Sequence, residues 1–280
     1  MKTILVPCDF SKQAVNAFRF ALDIARQSGG EVHLTHVIEL PVMHDSVLMP
    51  VMSFEEVLLK ELREKSQVEY AKLIKKYADP KDKVKTTTQF GAPARMILSY
   101  IEENKIDLVI MGTKGASGVK EYVIGSNAEK VVRNSPVPVI AVKSYPKLNT
   151  IKDIVLPNTL HTEIQEDLLM KVKAMQNFFK ANLHIVWVNT PSNFTRDITT
   201  HKRLQDFAKR FLFKNYTVHV FNDLYEEDGI INFAHSIKAD MIAMGTHGRK
   251  GLAHVLSGSV AEDVVNHIDI PIWTYTMRNE

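Results

Sequence analysis

The chain has 280 residues, 45% of them hydrophobic and 24% charged, ordinary globular values that exclude a collagen, a coiled coil, a disordered tail and a disulfide scaffold. At about 150 residues per domain, this length predicts nearly two domains, each able to bury its own core. The 35 basic and 32 acidic residues leave a formal charge of +3 with no long run of either sign, so no nucleic-acid or anionic-membrane partner is expected.

The start, Met1 to Asp9, holds too short an apolar run for a signal peptide, and no stretch approaches the roughly 20 apolar residues that cross a bilayer. The single cysteine, Cys8, forms no intrachain disulfide and suits a reducing compartment, so a cytoplasmic protein is expected. Ile4 to Cys8 reads as a first strand. Ser11 then caps a helix with Ala14, Ala17, Phe18, Ala21, Leu22 and Ala25 on one face, and Gly29-Gly30 stops it. Val32 to Val37 follows as a strand. A long helix is expected from Ser53, with Glu56 completing a capping box, and Val84 to Phe90 is a third strand. Pro93 suits the first turn of the next helix, Leu108 to Met111 has the continuous apolar character of a buried parallel strand, and Val137 to Val142 is the last strand. Ser144 to Thr150 reads as a linker. Strands near 153–157, 183–189, 216–222, 240–244 and 271–276 repeat the order, and this alternation predicts parallel sheets with right-handed crossovers.

The second half repeats the first in sequence as well. Met111-Gly112-Thr113-Lys114-Gly115 is matched by Met244-Gly245-Thr246-His247-Gly248. Gly125-Ser126-Asn127-Ala128-Glu129 is matched by Gly258-Ser259-Val260-Ala261-Glu262, and Asp107 by Asp240, all without a gap. Lys2 to Pro7 aligns with Lys152 to Pro157 at a larger offset, which places extra residues of the first copy near 39–56. The domains expected are therefore 1–145 and 150–280.

In both copies the fourth strand runs into glycine, two residues, glycine, nine residues, then Gly-Ser opening a helix. Gly112, Gly115, Gly118 and Gly125 permit positive φ and close backbone approach to a ligand, and a helix beginning at Ser126 adds free N–H groups that suit phosphate. Gly245, Gly248, Gly251, Gly258 and Ser259 offer the same set. A second reading stands beside this one: Ser126 and Ser259 each precede a glutamate by three residues, Glu129 and Glu262, the spacing of a capping box without any ligand. Lys114, Arg249 and Lys250 have two readings, as solvated loop cations, the commoner case, or as groups that screen phosphate charge. Neither loop ends in Gly-Lys-Ser/Thr, so a Walker loop and fast phosphoryl transfer are not expected.

The two glycine loops, together with Pro7-Cys8-Asp9 on the first strand, resemble the universal stress protein family, in tandem over essentially the whole chain. The resemblance implies two Rossmann-like α/β domains of the adenine nucleotide alpha hydrolase-like type, each an open parallel five-stranded sheet flanked by helices. It further implies ATP as ligand, alone or with Mg2+, and a role as a stress-response sensor or regulator with at most slow hydrolysis. By that likeness Pro7 and Asp9 meet the ribose side, the backbone at Val37 meets adenine, and Gly112, Thr113, Lys114, Gly115, Gly118, Gly125, Ser126 and Asn127 hold the phosphates. Gly245, Gly248, Arg249, Gly251, Gly258, Ser259 and Val260 form the second loop. It also implies that the last strands pair within the chain as a pseudo-dimer, which can itself form a homodimer or meet an unidentified protein partner. Pro138 and Pro271 fit sheet edges. The copies depart from each other: the second reads Pro157-Asn158-Thr159 and lacks the Asp9 carboxylate, while the first has Asn127 where Val260 fits the pattern better. The first site is therefore expected to be the more complete one. A nucleotide-free scaffold of the same fold is the alternative, whereas an adenylating enzyme lacks a signature here.

No histidine lies in a His-x3-His pair, His33 and His36 fall on opposite faces of a strand, and no metal site or catalytic nucleophile is expected. Cys8, at a strand end, reads as buried and inert. The Met-rich stretch from Leu40 to Met52 is expected to pack over its own domain, with a lid or partner contact as the sharper reading.

Overall fold

A computed structural model describes residues 1–40, 51–113, 125–158, 166–247 and 260–277. In the first half, β1 (Thr3–Pro7), α1 (Lys12–Ser28), β2 (Glu31–Ile38), α2 (Val51–Tyr77), β3 (Val84–Phe90), α3 (Pro93–Glu103), β4 (Leu108–Gly112), α4 (Ser126–Asn134) and β5 (Val139–Val142) alternate. A 3-10 turn at Leu148–Thr150 leads into β6 (Asp153–Pro157), α5 (Glu166–Phe179), β7 (Asn182–Asn189), α6 (Asp197–Arg210), β8 (Tyr216–Asn222), α7 (Glu226–Ser236), β9 (Met241–His247), α8 (Val260–His267) and β10 (Ile272–Met277).

Each half is a parallel five-stranded sheet, and the two join into one ten-stranded sheet of order β3-β2-β1-β4-β5-β10-β9-β6-β7-β8. The seam is the only antiparallel pairing among the described strands: Ala141, Ile140 and Val139 of β5 lie opposite Ile272, Trp273 and Thr274 of β10. The expected pairing of last strands within the chain is therefore present. Pro138 and Pro271 stand just before their strands and not on an edge of the joined sheet; their carbonyls accept from Val109 N and Ile242 N.

Alternation along the strands explains the continuous apolar runs. Ile4 and Val6 pack on the side of Phe18 and Leu22 of α1, whereas Leu5 faces Ile97 of α3 and Val131 of α4. Ser11 caps α1 by accepting from Ala14 N at 3.3 Å, and Gly29 ends it in the left-handed region at φ 65°. Asp107 and Asp240, matched in the repeat, do the same work twice. One carboxylate oxygen of each accepts the backbone N–H pair of Lys2 and Thr3, or of Lys152 and Asp153, and fixes the entry of the central strand. The linker is pinned to α1, since Tyr145 donates to Asp23 and its ring lies 3.8 Å from the Arg19 guanidinium.

Two expectations are corrected. Helix α2 begins at Val51, so Ser53 stands inside it instead of capping it. Helix α2 also has 27 residues against 14 in α6, so the extra length of the first copy lies largely in this helix and not only near 39–56.

Arg26, in the last turn of α1, holds the turn after α2: its Nη2 and Nε lie 2.6 and 3.0 Å from the Asp82 carboxylate, and Nη2 also donates to Tyr77 O. Burial pushes the Asp82 carboxyl up, but the hydrogen bonds from Arg26 and from Asp79 N pull it further down, leaving it below its ordinary value. A carboxylate depressed in the folded state stabilises the fold above its unfolded pKa and loses that contribution as pH falls through the folded value. Wild type should therefore lose more stability than Asp82→Asn between neutral pH and about pH 3, read as the shift in urea midpoint.

Candidate functional site

The carboxyl ends of β1, β2 and β4, where ligands settle on open α/β sheets, surround a cavity of about 320 Å3. Its size falls at the lower end of ligand pockets, about 300–1,000 Å3. Pro7, Asp9, Val37, Gly112, Thr113, Gly125, Ser126 and Asn127, all expected site residues, line it together with Thr35, His36, Pro93 and Ile97. Lys114, Gly115, Gly118, Gly248, Arg249, Gly251, Gly258 and Ser259, and residues 41–50 of the Met-rich stretch, lie outside the described residues.

Local turns aim these groups. After β1 the chain reverses through Phe10 at φ 62°, a left-handed conformation costly for an aromatic residue. The Phe10 ring is held against His36 and Tyr70 at centroid distances of 4.8 and 5.4 Å. The turn places Asp9 exposed at the mouth, with one oxygen accepting from Ser11 N at 3.0 Å. His36 bonds the Cys8 carbonyl through Nδ1, and Tyr70 donates to Thr87 O while accepting from His36 N. Burial pushes the Cys8 thiol up to about 12, so it stays protonated and unreactive. His33 points to the other face, towards Tyr100.

Two lining side chains are buried without a partner. The Thr35 and Thr113 hydroxyls make no hydrogen bond, although the residues are only 1% and 2% exposed. A buried hydroxyl left unpaired costs about 1–3 kcal/mol. Both lie on the cavity wall, so a polar ligand there would satisfy them. Nothing in the sequence marks Thr35, because its orphaning follows from where β1 ends.

Two expectations about the loop change. Gly112 and Gly125 do not use positive φ: Gly125 sits at φ −59° as the N-cap of α4, and the positive-φ glycines among the described residues are Gly29 and Gly91. Gly112 is small because α1 crosses it, where a Cβ would meet Gln13 C at 2.8 Å and Ala14 N at 2.9 Å. Since those are backbone atoms, Gly112→Ala should cost about 1–3 kcal/mol of stability by overpacking, measured by urea unfolding without any nucleotide. The capping-box reading also fails in the first copy. Ser126 is the first residue of α4, which has no side-chain cap, and Glu129 pairs with Arg133 instead. The N-terminal turn of α4, with Ser126, Asn127 and Ala128, therefore faces the cavity with backbone N–H groups that no side chain caps.

The second half differs. Gly245 is packed under Leu168 and Met277, which a Cβ would approach to 2.8 and 3.0 Å. Val188, the counterpart of Val37, is buried against Gly229 of α7. The segment after β7 is tied down over the strand end: Asn189 binds Thr195 and Asn222, and Asn193 donates to Glu226 at 2.8 Å. Val260 lies at the start of the described part of α8, Val260–His267.

A family model described as the universal stress protein family matches residues 1–143 and 199–275. The chain belongs to the universal stress protein family. It is 33% identical over 147 residues to one universal stress protein of Methanocaldococcus jannaschii, a match covering 52% of this chain and 84% of that protein. It is 31% identical over 153 residues to a second from the same organism, covering 51% and 94%. Each of these relatives thus corresponds to about half of the chain. The structure of a universal stress protein from Archaeoglobus fulgidus matches with a TM-score of 0.74 at 22% identity over 98% of both chains, and so shares the fold of both halves together. Among the described residues, no helix of this universal stress protein is long and apolar enough to cross a membrane.

Proposed function

We propose that the first half, residues 1–145, binds an adenine nucleotide, ATP by preference, and that residues 150–280 serve as its structural counterpart in a stress-linked sensor or regulator. The observation that carries this reading is the pair of orphaned hydroxyls, Thr35 and Thr113, in a cavity that also holds Asp9 and the uncapped start of α4. Asp9 offers a carboxylate to ribose hydroxyls, the edge of β2 at Val37 offers backbone groups and an apolar side chain to the base, and the α4 N-terminus favours phosphate. No activated nucleophile lies among the described lining residues, so the chemistry supported is binding, with hydrolysis at most slow. In the second half the segment after β7 covers the strand end, which favours a scaffold role there.

Mass spectrometry of nucleotides released by denaturing the purified protein, followed by calorimetric titration, tests this. ATP or AMP at about one per chain, or saturable ATP binding by the emptied protein, is the expected result. An empty protein that takes up no ATP overturns it and leaves the scaffold.

A further inference from the structure

At the far end of the second half, Asp153 of β6, His184 of β7, and Thr217 and His219 of β8 run across three strands on the face that carries α7. His184 registers with Thr217, and His219 lies two residues further along. His184 Nε2 lies 2.9 Å from Asp153 Oδ1, and its Nδ1 lies 3.4 Å from His219 Nε2. Thr217 Oγ1 sits between those two nitrogens at 2.9 and 2.8 Å. The His219 ring rests on Phe233 at a centroid distance of 4.9 Å.

The first half shows the same position built differently. His33, the counterpart of His184, bonds Glu31 through Nε2 and the Tyr100 hydroxyl through Nδ1, and is closed off. The counterparts of Tyr100 and Thr87 are Phe233 and His219. One copy thus pairs its histidine with a phenol, while the other withdraws the phenol and supplies a second imidazole nitrogen.

We propose that His184 Nδ1 and His219 Nε2 chelate a borderline divalent transition metal ion of the zinc class. The Asp153 carboxylate fixes His184 as the Nε2–H tautomer, so its Nδ1 presents a lone pair to the metal. Two nitrogens bonded to one tetrahedral zinc at 2.0–2.1 Å lie about 3.3–3.4 Å apart, which is the separation found. A carboxylate behind a ligating histidine is the usual outer partner in such sites, and imidazole donors suit zinc, copper and nickel. Thr217 Oγ1 bridges the nitrogens when no metal is bound, which keeps both rings convergent, and it occupies the space zinc takes, so its hydroxyl turns away as the metal binds. Among the described residues no three His, Cys, Asp or Glu side chains converge, so water fills the remaining positions. The site stands apart from the nucleotide cavity, which lies in the other half.

Zinc chloride competition against a chromophoric chelator, on the full chain without a histidine tag, tests the proposal. Wild type should take up one zinc. His184→Gln and His219→Thr, the latter restoring the first half's residue, should each lose that zinc while keeping the wild-type urea midpoint to within a few tenths molar. Asp153→Asn should weaken zinc binding about 10–100-fold. Cobalt(II) bound in place of zinc should show d–d absorption that His219→Thr abolishes. A wild type that binds no zinc, or a folded His219→Thr that binds it unchanged, overturns the proposal.

Discussion

Asp9→Ala is expected to weaken ATP binding by about 10–150-fold, the loss of one hydrogen bond to a charged acceptor at about 1.5–3 kcal/mol. The carboxylate has two tasks at the mouth of the cavity. One oxygen accepts Ser11 N and sets the turn in which Phe10 is held at φ 62°, and the group as a whole lines the ligand space. Alanine removes both tasks. Asp9→Asn keeps an acceptor for Ser11 N but removes the charge, so it should retain the turn and still lose affinity, by about 10-fold. Calorimetric titration of both variants, with urea midpoints as the control for folding, separates the tasks. An Asp9→Asn variant binding ATP as tightly as wild type would show that Asp9 shapes the turn and does not recognise the ligand.

What the sequence made legible is whatever depends on short spacing. The Ser11 cap, the Gly29 stop, Pro93 at the start of α3 and the strand-helix alternation follow from local residue preferences. The duplication followed from residues held at constant offset, Asp107 with Asp240 and Gly112 with Gly245 among them. The same repeat hid the reasons for those matches: Asp107 binds two backbone amides across the chain, and Gly112 makes room for α1. Such causes lie in the third dimension, which one-dimensional spacing does not carry. The orphaned Thr35 and the pair His184 and His219 were out of reach for the same reason, since register between strands brings residues 35 apart in sequence into contact. Ser126 allowed two readings, because a serine three before a glutamate describes a capping box equally well whether the serine precedes the helix or begins it, and α4 takes the second course by beginning at Ser126.

The joined sheet makes its own demand, and Trp273 carries most of it. In the β5–β10 seam Trp273 lies opposite Ile140, its own counterpart in the repeat, so the pseudo-two-fold axis passes between these two residues. Trp273 is wholly buried, registers with Ala243 on its other side, and its ring stacks with Tyr275 at 6.4 Å. Trp273→Ala should therefore cost about 3–5 kcal/mol, because the cavity opens where neighbouring strands cannot collapse. Trp273→Phe should cost far less, about 1 kcal/mol or under. The lost volume is offset by removal of the indole Nε1–H, which is buried with no acceptor and already costs the fold about 1–3 kcal/mol. Urea unfolding followed by Trp187 fluorescence and by circular dichroism reads both variants. Because the seam joins the halves, Trp273→Ala should also split the two probes into separate transitions, since residues 1–145 and 150–280 would then unfold with less mutual support. Equal losses for alanine and phenylalanine would mean that the indole nitrogen, and not the ring volume, is what the seam requires.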